Sequence, residues 1–351
     1  MRQIYLKTIF DRGPLWFIKR SLQFILIKIS YIIKRPLCGP VLGTLAVTYR
    51  CNLRCPMCGF PEMSRTNSDA GTKELNTQQF KNIITQMKSL GISGVGFTGG
   101  EPLLREDIFV LLEHCADTGM ITHLNTNGLL LDNEKIDRLF QARIDSLNIS
   151  YDDQHTSPEN RRHLSEMLLR IHKLNRTGKK HIRTKIATVL NPQNISIIDD
   201  SIDFYRTAEA DALEFIPEQN FNAGRDIATD DHKLIKDTVN RLISLKKQGI
   251  NIENSAAHLK LFEKSMTGQP NPVACYSGYN SLAVDCYGNV IPCAPRMSRG
   301  HTSLPPQGLT LKEIWFSKEY NDTRKRIRGC GGCFLNCQCE LNLMFNLFKK
   351  S

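Results

Sequence analysis

The sequence predicts an α/β fold: a partial (β/α)6 TIM-like barrel followed by a small cysteine-rich C-terminal domain. Three observations predict it. Six short β-branched or apolar runs alternate with helical patterns between Leu42 and Pro217, as repeated βα units around a parallel sheet require. Helix-stopping glycines punctuate the units, and cysteines crowd the chain after Pro272. A chain of 351 residues can bury a barrel-sized core with a smaller domain beside it.

The strands are expected at 42–48, 93–98, 121–126, 145–151, 183–190 and 212–217. Between the first and second strands, a helix is expected to open near Asn76 or Thr77, carry Phe80, Ile83, Ile84, Met87 and Leu90 on one face, and stop at Gly91. Leu164, Met167, Leu168, Ile171 and Leu174 repeat the pattern up to Gly178, and a further helix is expected over 231–247. The organisation read from this is a basic amphipathic segment (1–40), a core barrel (41–225), connecting helices (226–271) and a cysteine-rich domain (272–345). No repeat of solenoid period and no low-complexity tract interrupts it.

The formal charge of +11 suggests nucleic acid until it is located. Residues 1–45 hold eight Lys or Arg against the single acid Asp11, interleaved with Trp16, Phe17, Leu22, Ile25, Ile29 and Ile32. That composition suits an amphipathic helix at an anionic membrane surface, and a helix that packs on the domain fits it equally. Its densest apolar part, Leu22 to Ile33, is shorter than the roughly 20 residues a transmembrane helix needs, and no small-residue cleavage site of a signal peptide follows. The run Arg324, Lys325, Arg326 and Arg328 reads as a solvated helix face, so no specific nucleic acid is expected.

Twelve cysteines carry more information than the charge. No export signal accompanies them, and they cluster as metal sites do. Cys115 falls on an apolar helix face and reads as core. Cys51, Cys55 and Cys58 follow the first strand, at the end of a barrel where active sites are built. Three thiolates can bind three irons of a cubane and leave the fourth iron for a small chelating molecule. Structural zinc would ask for a fourth protein ligand, and the sequence offers none nearby.

TYRCNLRCPMC, with its C-x3-C-x2-C spacing, resembles the hallmark of radical S-adenosylmethionine enzymes, and Gly99, Gly100, Glu101 and Pro102 after the second strand resemble that family's GGEP motif. The resemblance covers about residues 42–340. It implies that Cys51, Cys55 and Cys58 hold a 4Fe-4S cluster and that the GGEP backbone and Glu101 bind the amino group of the cofactor's methionine. Glycines let backbone approach a ligand closely, and a buried carboxylate pairs with an ammonium. Met57 stands where the family often has an aromatic residue near adenine; a thioether can pack there too. Polar residues at later strand ends, Asn127, Ser150 and Asn191 among them, are further cofactor candidates, each of which a turn or cap would also explain. The implied reaction is reductive cleavage of S-adenosylmethionine to a 5'-deoxyadenosyl radical, which takes a hydrogen atom from the substrate.

Cys275, twelve residues, Gly288, four residues and Cys293 resemble the first half of the accessory domain called SPASM, or twitch in its shorter form. CGGCFLNCQC supplies Cys330, Cys333, Cys337 and Cys339 in tighter spacing than the full pattern. The resemblance implies one auxiliary 4Fe-4S cluster on Cys275, Cys293, Cys330 and Cys333, with Cys337 an alternative fourth ligand. Paired thiolates also suit zinc, so a zinc-binding scaffold or nucleic-acid-binding protein is the competing class. Expected partners are an electron donor such as flavodoxin or ferredoxin and a peptide or small-molecule substrate, in the cytoplasm, with peripheral membrane contact through residues 1–35. A lipid-linked substrate is the alternative to peptide or cofactor maturation.

Overall fold

The computed structural model describes residues 2–69, 71, 73–152, 155–178, 180–219, 228–294, 308–328, 330 and 333–346. Six parallel strands form the expected barrel wall: β1 Leu42–Thr48, β2 Gly94–Gly99, β3 Ile121–Thr126, β4 Ser146–Ser150, β5 Arg183–Leu190 and β6 Ala212–Pro217. They pair in sequence order, and each lies within a residue of its expected bounds. Parallel strands buried on both faces read as apolar runs, so their positions were visible in the sequence.

Helices cover the outside of the sheet. Helix α1 spans Arg2–Ile33, and α2 (Phe60–Asp69) and α3 (Thr77–Leu90) follow β1. Helix α3 starts where the sequence expects it: Asn76 and Gln79 exchange capping bonds, and Gly91 ends it in the left-handed region at φ 99°. Next come α4 (Ile108–Asp117), α5 (Asn133–Gln141), α6 (Pro158–Thr177), α7 (Ile197–Thr207), α8 (His232–Lys247) and α9 (Ala256–Met266). Cys115 on α4 is fully buried, as its apolar surroundings imply.

The cysteine-rich region joins the barrel sheet directly. Strand β7 (Ser281–Val284) pairs in parallel with β1, and β8 (Val290–Ile291) returns antiparallel, giving an eight-stranded sheet ordered β6-β5-β4-β3-β2-β1-β7-β8. Three helices follow, α10 (Leu311–Phe316), α11 (Lys318–Arg328) and α12 (Asn336–Asn346).

The solvated face expected for the basic run on α11 holds only in part. Arg324 is fully buried, donating to the Gly278 and Trp315 carbonyls at 2.6 Å each and lying over the Trp315, Tyr320 and Tyr279 rings. A guanidinium tolerates this because carbonyls and aromatic faces replace water around it. Lys325 and Arg326 are exposed, and Arg328 donates to the Tyr31 carbonyl of α1 at 2.8 Å.

Helix α1 bends at Gly13, whose φ is 77°, and packs one face against the C-terminal region. Phe24 stacks on Phe345 at 4.3 Å between ring centroids, and Tyr31 stacks on Tyr276 at 4.2 Å. The Gln23 amide donates to the Gly39 and Pro40 carbonyls, both at 3.0 Å.

Candidate active site

The loop after β1 carries Cys51, Cys55 and Cys58, all half-buried, and is pinched by a Cys58 N–H bond to the Cys55 carbonyl at 3.0 Å. Burial pushes all three thiols up, Cys55 to about 12. Cys55 is raised further by Asp152, Cys58 and Cys51, which places the three sulfurs within reach of one another's charge. Thiolates that repel in a partly dry loop are stabilised by a cation, so this donor set fits an iron–sulfur cluster. Among the described residues no three His, Cys, Asp or Glu side chains converge to hold a single metal ion. A cubane does not ask for that, because each thiolate binds a different iron.

The neighbouring strand end fixes this loop in place. Gly100 N–H donates to the Thr48 carbonyl and Glu101 N–H to the Arg50 carbonyl, both at 2.8 Å. A Cβ on Gly99 would stand 2.1 Å from the Thr48 oxygen, and one on Gly100 2.1 Å from the Arg50 oxygen. The two glycines thus let the chain approach its own backbone one residue before Cys51, a role the sequence did not suggest.

Glu101 is fully buried and caps the 3-10 turn Pro102–Leu104. Its Oε1 accepts from Leu103 N–H at 2.9 Å and Thr126 Oγ1 at 2.7 Å, and its Oε2 accepts from Asn127 N–H at 2.8 Å. Burial raises its pKa, and these donors together with His155 offset only part of that rise. Asn127 extends the chain of bonds, its side-chain amide donating to Asn52 Oδ1 at 2.8 Å between Cys51 and Cys55. Through Glu101 and Asn127 the ends of β1, β2 and β3 are one hydrogen-bonded unit.

Met57 lies half-buried in the same loop. Ser150, at the end of β4, lines a cavity of about 340 Å³ inside the barrel, together with Asn125, Asn148, Lys185, Glu214 and Cys337. Asn191 stands apart: its Oδ1 accepts from Gln193 and Asn194 N–H, and its amide donates to Glu218 at 2.7 Å, the turn role that competes with cofactor binding.

Sequence reading missed two polar groupings here. Asp152 and His155 form a buried pair 3.0 Å apart, with His155 near enough to Glu101 to lower its pKa and Asp152 near enough to Cys55 to raise that thiol. Lys185 and Glu214 pair across β5 and β6 at 2.8 Å within the cavity wall. The signal for the second was a charged residue within each of two strands, Lys185 in RTKIATVL and Glu214 in ALEFIP.

The downstream cysteines also gather. Cys333 is raised well above its ordinary value by burial and then by Cys275, Cys293 and Cys337, and Cys330 raises Cys275. Those are the five thiols expected at the auxiliary site. Cys339 accepts from the Asn271 amide at 3.6 Å, an amide that also donates to the Cys333 carbonyl at 2.7 Å, and lies beside His258, whereas Cys286 sits near Glu74 and Asp285.

A partial parallel barrel with three neighbouring thiols in the loop after its first strand and a second group of thiols downstream defines a class of iron–sulfur enzyme. Comparison with known proteins gives the family. The radical SAM superfamily model matches residues 45–205, and that of SPASM, an iron–sulfur cluster-binding domain, matches residues 275–338. This chain belongs to the radical SAM superfamily and carries a SPASM domain. It is a radical S-adenosylmethionine enzyme whose cofactors are a 4Fe-4S cluster, S-adenosylmethionine and SPASM-bound iron–sulfur, which answers the zinc-scaffold alternative.

Among its relatives is the PqqA peptide cyclase of Rhodopseudomonas palustris, 24% identical over 330 residues, covering 86% of this chain and 82% of that protein. The PqqA peptide cyclase of Bradyrhizobium diazoefficiens is 30% identical over 179 residues, covering 50% of this chain and 46% of that one. In fold the chain resembles SuiB of Streptococcus suis bound to its precursor peptide SuiA, with a TM-score of 0.64 and 16% identity over 90% of this chain and 72% of that one. It also resembles anSMEcpe with bound AdoMet, with a TM-score of 0.55 and 17% identity over 88% of this chain and 96% of that one.

Proposed function

We propose that this enzyme modifies a peptide during its maturation, abstracting a hydrogen atom from a side chain held in the barrel cavity. The observation that carries the reading is the similarity to a PqqA peptide cyclase over 86% of this chain, joined to a cavity of about 340 Å³ inside the barrel. Cys51, Cys55 and Cys58 are the ligands of the cluster that, once reduced, supplies the 5'-deoxyadenosyl radical from S-adenosylmethionine. The chain's own part is positioning and exclusion of water. Glu101 and the Gly99–Gly100 backbone hold the loop and face the methionine end of the cofactor, with Pro102 fixing the turn. Met57, Asn127 and Ser150 border the rest of the cofactor, while Asn191 is held in its turn by Gln193, Asn194 and Glu218.

Cys275, Cys293, Cys330 and Cys333 bind one auxiliary cluster, with Cys337 the alternative fourth ligand. A flavodoxin or ferredoxin supplies electrons. The enzyme works in the cytoplasm, with peripheral contact to a membrane through residues 1–35; none of its described helices is long and apolar enough to cross one.

The test is anaerobic reconstitution with iron and sulfide, then addition of reductant and S-adenosylmethionine. The protein is expected to release 5'-deoxyadenosine, and persistence of that product in Cys55→Ala would overturn the assigned ligand role. Peptides encoded beside the gene are the substrates to assay, read by a mass change dependent on S-adenosylmethionine; turnover of a small molecule alone would overturn the peptide reading.

A further inference from the structure

One face of α1 is accounted for by the protein, and the opposite face is not. Between Leu15 and Ile33 every exposed side chain except Lys19 is a large hydrophobic one. Six of them, Leu15, Ile18, Leu22, Ile25, Ile29 and Ile32, recur at alternating spacings of three and four and are 40–80% exposed. Meanwhile Gln23, Phe24, Ile27 and Tyr31 face inward, against the segment after α1 and the C-terminal region. A helix that needed only to pack on its domain would carry polar residues outside. An apolar stripe this continuous marks a surface that something covers.

Two occupants fit an apolar stripe, and charge separates them. At about 100° per residue the six side chains fall in a sector about 100° wide, with Lys19 about 40° beyond one edge and Lys28 about 40° beyond the other. The three-four spacing alone would also make the seam of a coiled coil with a second copy. In that seam the flanking positions would hold Lys19, Lys28 and Arg35, and the sequence between Arg12 and Pro61 contains no Asp or Glu. A self-paired helix would set like charges of the two copies along one seam. An anionic bilayer surface supplies the opposite charge, accepts the apolar sector, and lets lysine stems lie along the acyl boundary with their ammonium groups among the headgroups.

From this we infer that the outer face of α1, Leu15 to Ile33, is a docking surface for an anionic lipid bilayer, lying in the interface plane. The inference rests on the membrane contact proposed above and specifies its face, its lipid charge and its orientation. The inner face is stacked on Tyr276 and Phe345, and Tyr276 is the neighbour of Cys275, so docking holds the SPASM side of the enzyme toward the membrane. The same helix also meets the barrel, where Arg20 and Gln23 donate to the Gly91 carbonyl at 2.7 and 3.2 Å.

The experiment uses the full-length protein and sedimentation with phosphatidylcholine vesicles, with and without about a third phosphatidylglycerol. Wild type is expected to bind the anionic vesicles and to lose roughly fivefold in affinity when the exposed charge of Lys19 is removed. The double variant Ile25→Glu with Ile29→Glu is expected to lose at least about tenfold while folding normally, because both side chains are exposed. Its release of 5'-deoxyadenosine should equal wild type, since neither residue touches the cysteine loop.

Equal binding to neutral and anionic vesicles would overturn the inference, as would vesicle binding unchanged in the double variant. A concentration-dependent dimer that the same variant dissociates, without vesicle binding, would overturn it in favour of a second copy. Wild type that makes 5'-deoxyadenosine but ignores vesicles refutes the docking surface and the membrane contact beneath it, and leaves the catalytic reading standing. Vesicle binding without that product refutes the catalytic reading alone.

Discussion

Gly100→Ala tests whether the strand-end glycines hold the cysteine loop. The new Cβ would lie 2.1 Å from the Arg50 oxygen and 2.7 Å from the Tyr49 oxygen, both backbone atoms, so no side chain can swing aside. Restoring ordinary contact at 3.4 Å requires a shift of about 1.3 Å (3.4 less 2.1). A shift of that size breaks the Gly100–Thr48 and Glu101–Arg50 bonds, each 2.8 Å long. Two buried backbone pairs left unmade cost about 1–3 kcal/mol each, so the expected loss is about 2–6 kcal/mol. The strain falls on Arg50, adjacent to Cys51. The assays are guanidinium denaturation and iron bound per chain after reconstitution. Gly96→Ala on the same strand is the control, since its Cβ would meet nothing nearer than His123 at 3.9 Å. Equal stability and equal iron in the two variants would refute the reasoning.

Further predictions follow from the buried charges and thiols. Burial alone would raise the Glu214 carboxyl, yet Lys185 brings it from 4.5 down to about 2. A depressed carboxylate contributes stability that is present above pH 4.5 and lost as pH falls through about 2; at about 1.4 kcal/mol per unit this is on the order of 3 kcal/mol. Lys185→Met should flatten that acid limb in denaturation curves and lower stability at pH 7 by about 3–5 kcal/mol, and an unchanged limb would contradict the pairing. His258 runs the other way: burial lowers it, but Cys339 and Glu340 carry it from 6.5 up to about 10. Its contribution is complete below pH 6.5 and disappears as pH rises through about 10, so His258→Phe should remove an alkaline loss of stability measured from pH 7 to 10. Cys333→Ala should lower iron per chain by one cluster while 5'-deoxyadenosine is still released, and Cys339→Ala should leave iron unchanged, because the Cys339 sulfur is engaged by Asn271 and His258.

The barrel was legible because its signals are local. A strand buried on both faces must be apolar along its length, and Asn76, Gln79 and Gly91 mark the limits of α3 through bonds that span only a few residues. What was not legible depends on register and on partners distant in sequence. The strands SLAV and VI of the cysteine-rich region are too short to announce that they extend the β1 edge. Lys185 and Glu214 look like ordinary polar residues until β5 and β6 are aligned, and Arg324 looks solvated until Trp315, Tyr320 and Tyr279 are packed around it. The cysteine spacing exposed the chemistry of the site, whereas the link from Glu101 through Asn127 to Asn52 emerged only with three strand ends side by side.

The central claim is that Cys51, Cys55 and Cys58 leave one iron open to S-adenosylmethionine. Its most direct test is the electron paramagnetic resonance spectrum of the dithionite-reduced, reconstituted enzyme, recorded before and after S-adenosylmethionine is added. The account predicts a 4Fe-4S signal that changes on addition and is absent from the triple alanine variant of those cysteines. A spectrum indifferent to S-adenosylmethionine, or one that survives the triple substitution unaltered, would contradict it.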